Sequence, residues 1–208
     1  MGSPVIRVLL VHETPLLRSA LAAALGADPE LRVEATSWRE ATEGDRLTRA
    51  DVCVVDTDTP DPGASDRHLP LLELGHRLRA GSTALLVLAA TGRPGLVRRA
   101  TEAGALGYVS KDADPDRLAK AIRMTAEGHR YVDEALAPDF LHAATIPLTP
   151  RELHVLSLIA DGCSPTEIAD RLHLSRGTVR NYVAAVTRKT GARNRVDAVR
   201  ISREAGWI

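Results

Sequence analysis

Hydrophobic and polar positions fall into blocks whose period changes along the chain. Residues 5–11 (Val-Ile-Arg-Val-Leu-Leu-Val) form a short apolar run that stops at His12 and Glu13. Leu16, Leu17, Ala20, Leu21, Ala24 and Leu25 then recur at helical spacing. The alternation continues with a strand over 31–36, a helix over 38–48 and a strand over 51–55 that ends at Asp56. A Pro/Asp/Gly-rich loop follows, then a helix over 69–79, a strand over 84–88, a helix over 94–103, a short strand over 106–110 and a helix over 115–127. Five strands alternating with five helices predict an α/β, doubly wound, five-stranded parallel sheet covered on both faces.

Beyond residue 148 the strand-like runs disappear and helix start signals take over. Thr149-Pro150-Arg151-Glu152 and Ser164-Pro165-Thr166-Glu167 each place a hydroxyl at the N-cap, proline at the first helical position and glutamate at the third, the pattern of a capping box. The apolar positions Leu153, Leu156 and Ile159 lie between them and end at Asp161-Gly162, a stop signal. Ile168, Ala169 and Leu172 follow the second cap, before a tight turn at His173-Leu174. Ser175 caps a third helix with a thin apolar stripe of Val179, Val183 and Val186 and an outer face of Arg180, Asn181, Ala184 and Arg188. A small, basic, amide-bearing face suits a major groove, which admits a helix and is read by hydrogen-bonding side chains. A fourth helix starts at Asn194 and runs toward Gly206.

The sequence thus divides into a first domain over 1–128, a joining segment over 129–147 and an all-α domain over 148–208. The joining segment carries Leu136, Phe140 and Leu141 within 133–144, apolar enough for a short docking helix rather than a free tether. Net charge is zero over 208 residues, but from residue 148 onward ten basic side chains face six acidic ones, a basic module beside an acidic one. Aromatic residues are 3%, so the core is built from Ala, Val, Leu and Ile. No apolar run approaches the length that spans a bilayer, and the start lacks the charged and apolar regions of a secretory signal, which predicts a cytoplasmic protein without membrane contact. Cys53 and Cys163 fall in different domains and read as reduced thiols.

The C-terminal motifs resemble those of the LuxR-type helix-turn-helix. They are Leu148-Thr-Pro-Arg-Glu-Leu153, Ile168-Ala-Asp-Arg-Leu172, Ser175-Arg-Gly-Thr-Val-Arg-Asn-Tyr182, Lys189-Thr-Gly-Ala192 and Asn194-Arg195. The resemblance implies that residues 176–188 enter the major groove of double-stranded DNA, as a homodimer on two half-sites. Arg180, Asn181 and Ala184 match the family's base-facing positions. Arg180 suits bidentate pairing to guanine and Asn181 to adenine, whereas Ala184 offers only a methyl contact. Arg176, Thr178, Tyr182, Arg188 and Lys189 complete the DNA-binding set, with Thr178, Tyr182, Arg188 and Lys189 placed for phosphates.

The N-terminal domain resembles the receiver domain of two-component response regulators, and the whole chain a NarL/FixJ-type response regulator. The polar residues at the strand ends, where such sheets place their crevice, carry the likeness: His12, Glu13, Asp56, Ala89 and Lys111. By this resemblance Asp56 is the phosphoacceptor, Lys111 the receiver lysine and Tyr108 the aromatic switch. A sensor histidine kinase is the implied partner. Mg²⁺ is the implied cofactor, bound by oxygen ligands from Glu13 and Asp56.

Two positions depart from the family pattern. His12 stands where one of two metal-site acids is usual, and Ala89 where a Thr or Ser hydroxyl normally meets the phosphoryl group. Two mechanisms follow. In the preferred one the pocket is vestigial, and the domain serves dimerisation or ligand sensing with weak or no phosphorylation of Asp56. In the other, phosphorylation of Asp56 still gates DNA binding. A third alternative comes from the run Asp56-Thr57-Asp58-Thr59, whose two spaced acids resemble the DxDxT opening of haloacid-dehalogenase-like phosphatases, although Pro60 stands at the motif's threonine position; no later acidic pair completes that site, and the chain reads as a non-enzyme.

Overall fold

The computed structural model describes residues 5–42, 46–57, 69–143 and 146–208. The first domain opens with β1 (Ile6–Val11), α1 (Pro15–Gly26), β2 (Leu31–Thr36), α2 (Trp38–Thr42) and α3 (Arg46–Arg49). It continues with β3 (Val52–Asp56), α4 (Leu69–Ala80), β4 (Ala84–Ala89), α5 (Pro94–Glu102), β5 (Gly107–Ser110) and α6 (Pro115–Ala126). The strands pair in parallel in the order β2-β1-β3-β4-β5, and every residue of β3 is buried, as expected for the centre of a sheet covered on both faces.

Side chains alternate between those faces. Leu9, Val11, Cys53, Val55, Val87 and Tyr108 point to one side, where Leu74, Leu78 and Val97 cover them from α4 and α5. Val8, Leu10, Val54, Leu86 and Val109 point to the other, against Leu118 and Ile122 of α6 and Leu25 of α1. Burial of the Cys53 thiol pushes its pKa up to about 12, so it is an inert core residue.

The structure corrects the expected sheet in one respect: among the described residues it has six strands. Tyr131–Val132 forms β6, parallel to β5, in the segment read as the connection between domains. Two residues carry too little periodicity to announce a strand. β6 is held by Tyr131 N donating to Leu106 O (3.0 Å) and Asp133 N to Tyr108 O (2.9 Å). A 3₁₀ turn (Glu134–Leu136) and α7 (Ala137–Ala143) follow, and Leu136 is fully buried in the first domain's core. The single helix expected over 38–48 is described as α2 and α3, with 43–45 outside the described residues.

The second domain is α8 (Pro150–Ala160), α9 (Pro165–Leu172), α10 (Arg176–Thr190) and α11 (Arg195–Glu204). Both capping boxes form: Thr149 with Glu152, and Ser164 with Glu167. Each such cap stabilises its helix by about 1 kcal/mol. The turn between α9 and α10 is made by His173 in the left-handed conformation, φ 52°. Ser175 then caps α10 by accepting from Thr178 N at 3.0 Å. Val179 and Val186 bury completely beneath α10, so its polar face can only point outward.

The domains meet end to end. At the C-terminal end of α11 and in the two residues beyond it, backbone carbonyls point out of the helix and are open to partners elsewhere. Three of them accept from the first domain: Arg203 O from Arg93 Nη2 (2.9 Å), Ala205 O from Gly95 N (3.0 Å) and Gly206 O from Arg99 Nη1 (2.5 Å). Among the described residues, no helix is long and apolar enough to cross a membrane.

Candidate functional site

β1 pairs with β2 on one side and β3 on the other, so the crevice of the sheet opens beyond the ends of β1 and β3. His12 follows β1, Asp56 ends β3 and Lys111 follows β5, and the fold brings these three together. Asp56 is 1% exposed and His12 4%. Asp56 Oδ1 lies 2.5 Å from Lys111 Nζ, and Oδ2 lies 3.0 Å from His12 Nε2.

The backbone fixes the histidine tautomer. Thr14 N–H donates to His12 Nδ1 at 3.0 Å, which makes Nδ1 the acceptor and leaves the ring proton on Nε2. His12 therefore donates to Asp56. Both carboxylate oxygens are met by donors from the protein, which compensates the burial of the charge.

Glu13 is turned elsewhere. Its Oε2 accepts from Trp38 N at 3.2 Å, at the start of α2. Arg18 of α1 holds the connecting backbone by donating to His12 O at 2.8 Å. Among the described residues, no group of three or more His, Cys, Asp or Glu side chains is arranged to hold a metal ion. The carboxylate nearest Lys111 thus has an imidazole N–H, not a second oxygen ligand, beside it. A hard cation requires the opposite.

Ala89 is buried at the end of β4, and its carbonyl accepts from Lys111 N (3.1 Å). Thr91 is exposed. Tyr108 is fully buried, and its hydroxyl bonds Thr101 Oγ1 at 2.9 Å and Ala105 O at 3.1 Å. Burial raises the phenol pKa, against the smaller lowering effect of the Thr101 bond and the nearby Arg130 charge. Thr101 was not among the expected pocket residues: it lies seven positions before Tyr108, in a helix whose pattern signals only packing. Asp58 and Thr59 of the DxDxT-like run lie outside the described residues.

On the second domain, Arg176, Arg180, Asn181, Ala184, Arg188 and Lys189 are exposed, while Thr178 and Tyr182 are half-buried. None of these side chains is covered by the first domain, which meets α11 instead. Lys189 Nζ lies 2.7 Å from Glu152 Oε2, so it also ties the end of α10 to the capping box of α8. Glu152 is buried. Burial alone would raise its pKa, but hydrogen bonds from Lys189 and Thr149 outweigh it and hold the carboxyl below the ordinary value.

Residues 146–202 match the family model described as bacterial regulatory proteins, luxR family. Over the full length, the chain is 48% identical to the response regulator RamR of Streptomyces coelicolor, covering 97% of this chain and 98% of that one. It is 33% identical to the transcriptional regulatory protein DesR of Bacillus subtilis, covering 98% and 99%. Among solved structures, it resembles the response regulator ChrA of a heme-sensing two-component system, with TM-score 0.54, 28% identity and coverage of 99% and 100%. The fold is also that of the response regulator RcsB in complex with DNA, TM-score 0.61 at 21% identity over 96% of this chain and 98% of that one. The chain belongs to the NarL/FixJ-type response regulators, DNA-binding transcriptional regulators that join a receiver domain to a luxR-family helix-turn-helix.

Proposed function

We propose that this regulator binds DNA as a homodimer without needing a phosphoryl group on Asp56, and that its receiver holds no Mg²⁺. The observation that carries the proposal is the doubly occupied carboxylate of Asp56, with His12 Nε2–H on one oxygen and Lys111 on the other. In-line attack on a phosphoryl donor needs a free carboxylate oxygen and a cation to neutralise the phosphoryl charge. Here one oxygen is tied to a neutral imidazole donor that cannot ligate a metal through the same nitrogen. Glu13, the remaining metal-site acid, serves as an acceptor for α2. The set of donors therefore does not fit Mg²⁺.

The DNA-reading assignments belong to the same proposal. Arg180 and Asn181 read base edges, and Ala184 sits against them without a hydrogen bond. Thr178, Tyr182, Arg188 and Lys189 engage phosphates, and Arg176 completes the DNA-binding set. The protein acts in the cytoplasm as a regulator rather than an enzyme.

A second reading has its own support. Asp56 and Lys111 remain adjacent at the ends of β3 and β5, so a sensor histidine kinase that displaced His12 would find both groups in reach. Incubation of the whole protein with acetyl phosphate and Mg²⁺, followed by intact-mass measurement, separates the two. The proposal expects no added phosphoryl mass. A gain of one phosphoryl group, absent in Asp56→Asn, establishes the second reading instead.

A further inference from the structure

The segment that follows the receiver sheet is fastened at several points, and its fastenings converge on one short stretch. Asp133, 1% exposed, accepts from Ser110 N (3.4 Å), Ala135 N (3.1 Å) and Arg117 Nη1 (3.3 Å), which anchors β6 to the end of β5. In α7, the Phe140 ring meets Tyr108 edge-on, with centroids 4.8 Å apart at 76°. The Arg130 guanidinium lies over both rings, 5.6 Å from that of Tyr108 and 5.3 Å from that of Phe140. Asp139, 4% exposed, accepts from Gly92 N at 3.1 Å. Its carboxylate thus sits just ahead of the N-terminus of α5, the end at which a helix favours negative charge.

Residues 89–95 are therefore gripped at three points. Ala89 O takes the amide of the pocket lysine, Gly92 N is held by α7, and Gly95 N is bonded to Ala205 O of the DNA-binding domain. The aromatic residue that a phosphorylated receiver turns inward is already inside, held by Thr101 and Phe140 without any hydroxyl at position 89.

We propose that α7 is a regulatory latch. Seated through Phe140 and Asp139, it keeps Tyr108 inside and fixes the 89–95 stretch on which α11 rests; unseated, it releases both the tyrosine and the DNA-binding domain. The latch takes over the coupling that a phosphoryl-bound hydroxyl would provide, and in that sense rests on the phosphate-independent reading above.

Hydrogen exchange of the full chain, followed by mass spectrometry, tests it. Asp139→Asn removes the charge at nearly constant shape, and Phe140→Ala removes the ring. Should Phe140→Ala unfold, Arg130→Ala weakens the same aromatic contact from the surface. In folded variants the latch predicts that peptides over 89–97 and over 200–208 both exchange about tenfold faster or more, because local opening sets their protection. Faster exchange over 89–97 with 200–208 unchanged overturns the latch, as does no change in either. A separate arm adds Mg²⁺ and beryllofluoride to the unmodified protein. A change over 89–97 there contradicts the phosphate-independent reading while leaving the latch to be judged by the variants.

Discussion

His12 donates its Nε2 proton to Oδ2 of Asp56 across 3.0 Å, and the direction is fixed from behind by the Thr14 amide on Nδ1. On the reading proposed above, this histidine stands where a receiver ordinarily gathers a second acid and a cation. Restoring that acid should restore the chemistry. His12→Asp places two carboxylates beside Lys111, which repel each other and attract a divalent cation. We expect His12→Asp to bind Mg²⁺ and to gain phosphoryl mass from acetyl phosphate where the unmodified protein gains none, and the double variant His12→Asp/Asp56→Asn to lose the gain. Mass spectrometry with and without Mg²⁺ checks this.

Gly95 is required by the joint between domains and not by α5. A Cβ at this position would lie 2.1 Å from Gly206 O, and the next nearest atoms, Gly206 C and Trp207 N, also belong to the second domain. Gly95→Ala should therefore open the joint while improving helix propensity within α5 by about 0.5–1 kcal/mol. X-ray scattering is expected to show a larger radius of gyration with no loss of receiver stability. An unchanged radius would mean that the end-to-end contact of α11 tolerates a side chain, against the geometry.

The pairing of Lys189 with Glu152 makes part of the second domain's stability depend on pH. Burial favours the neutral acid, but the hydrogen bonds from Lys189 and Thr149 prevail and depress the folded-state pKa of Glu152 below 4.5. A depressed carboxyl contributes its stability above the unfolded value and loses it as pH falls through the folded one. The second domain's melting temperature should thus drop below pH 4.5 in the unmodified protein and less so in Glu152→Gln. At neutral pH, Glu152→Gln should cost about 1–2 kcal/mol through loss of the charge-assisted bonds. Equal pH profiles for the two proteins would contradict the assignment.

On α10, Arg180 and Arg188 are assigned different tasks. Arg180→Ala should cost about 1–3 kcal/mol on a selected duplex and relax preference at one base position. Arg188→Ala should weaken all duplexes alike and reduce the salt dependence. Equal loss on selected and random DNA for Arg180→Ala would remove its base-reading role.

Much of this architecture was legible because it depends on local pattern. Apolar runs ending in polar residues gave β1, β3 and β4, since both faces of a central parallel strand are buried. Thr149, Ser164 and Ser175 announced three helices because an N-cap is a contact within one turn. What escaped was set by contacts distant in sequence. β6 is two residues long and takes its conformation from β5. Lys189, with Glu152 37 residues away, showed nothing of its pairing, and the bond from Gly92 to Asp139 spans 47. At the acidic pocket the residue types His12, Glu13, Asp56 and Lys111 were legible in the sequence. The orientation of His12 toward Asp56, and of Glu13 away from it, came only with the folded backbone.

The most direct test of phosphate independence is operator affinity. Duplexes selected from a random pool by the full-length protein would be titrated with the unmodified protein, with Asp56→Asn, and with each in Mg²⁺ and beryllofluoride, at fixed salt. The account predicts equal dissociation constants, within about twofold, in all four cases, a spread far below the 1–3 kcal/mol that one base contact carries. Tightening of about tenfold or more by beryllofluoride in the unmodified protein alone, which is about 1.4 kcal/mol, would contradict it.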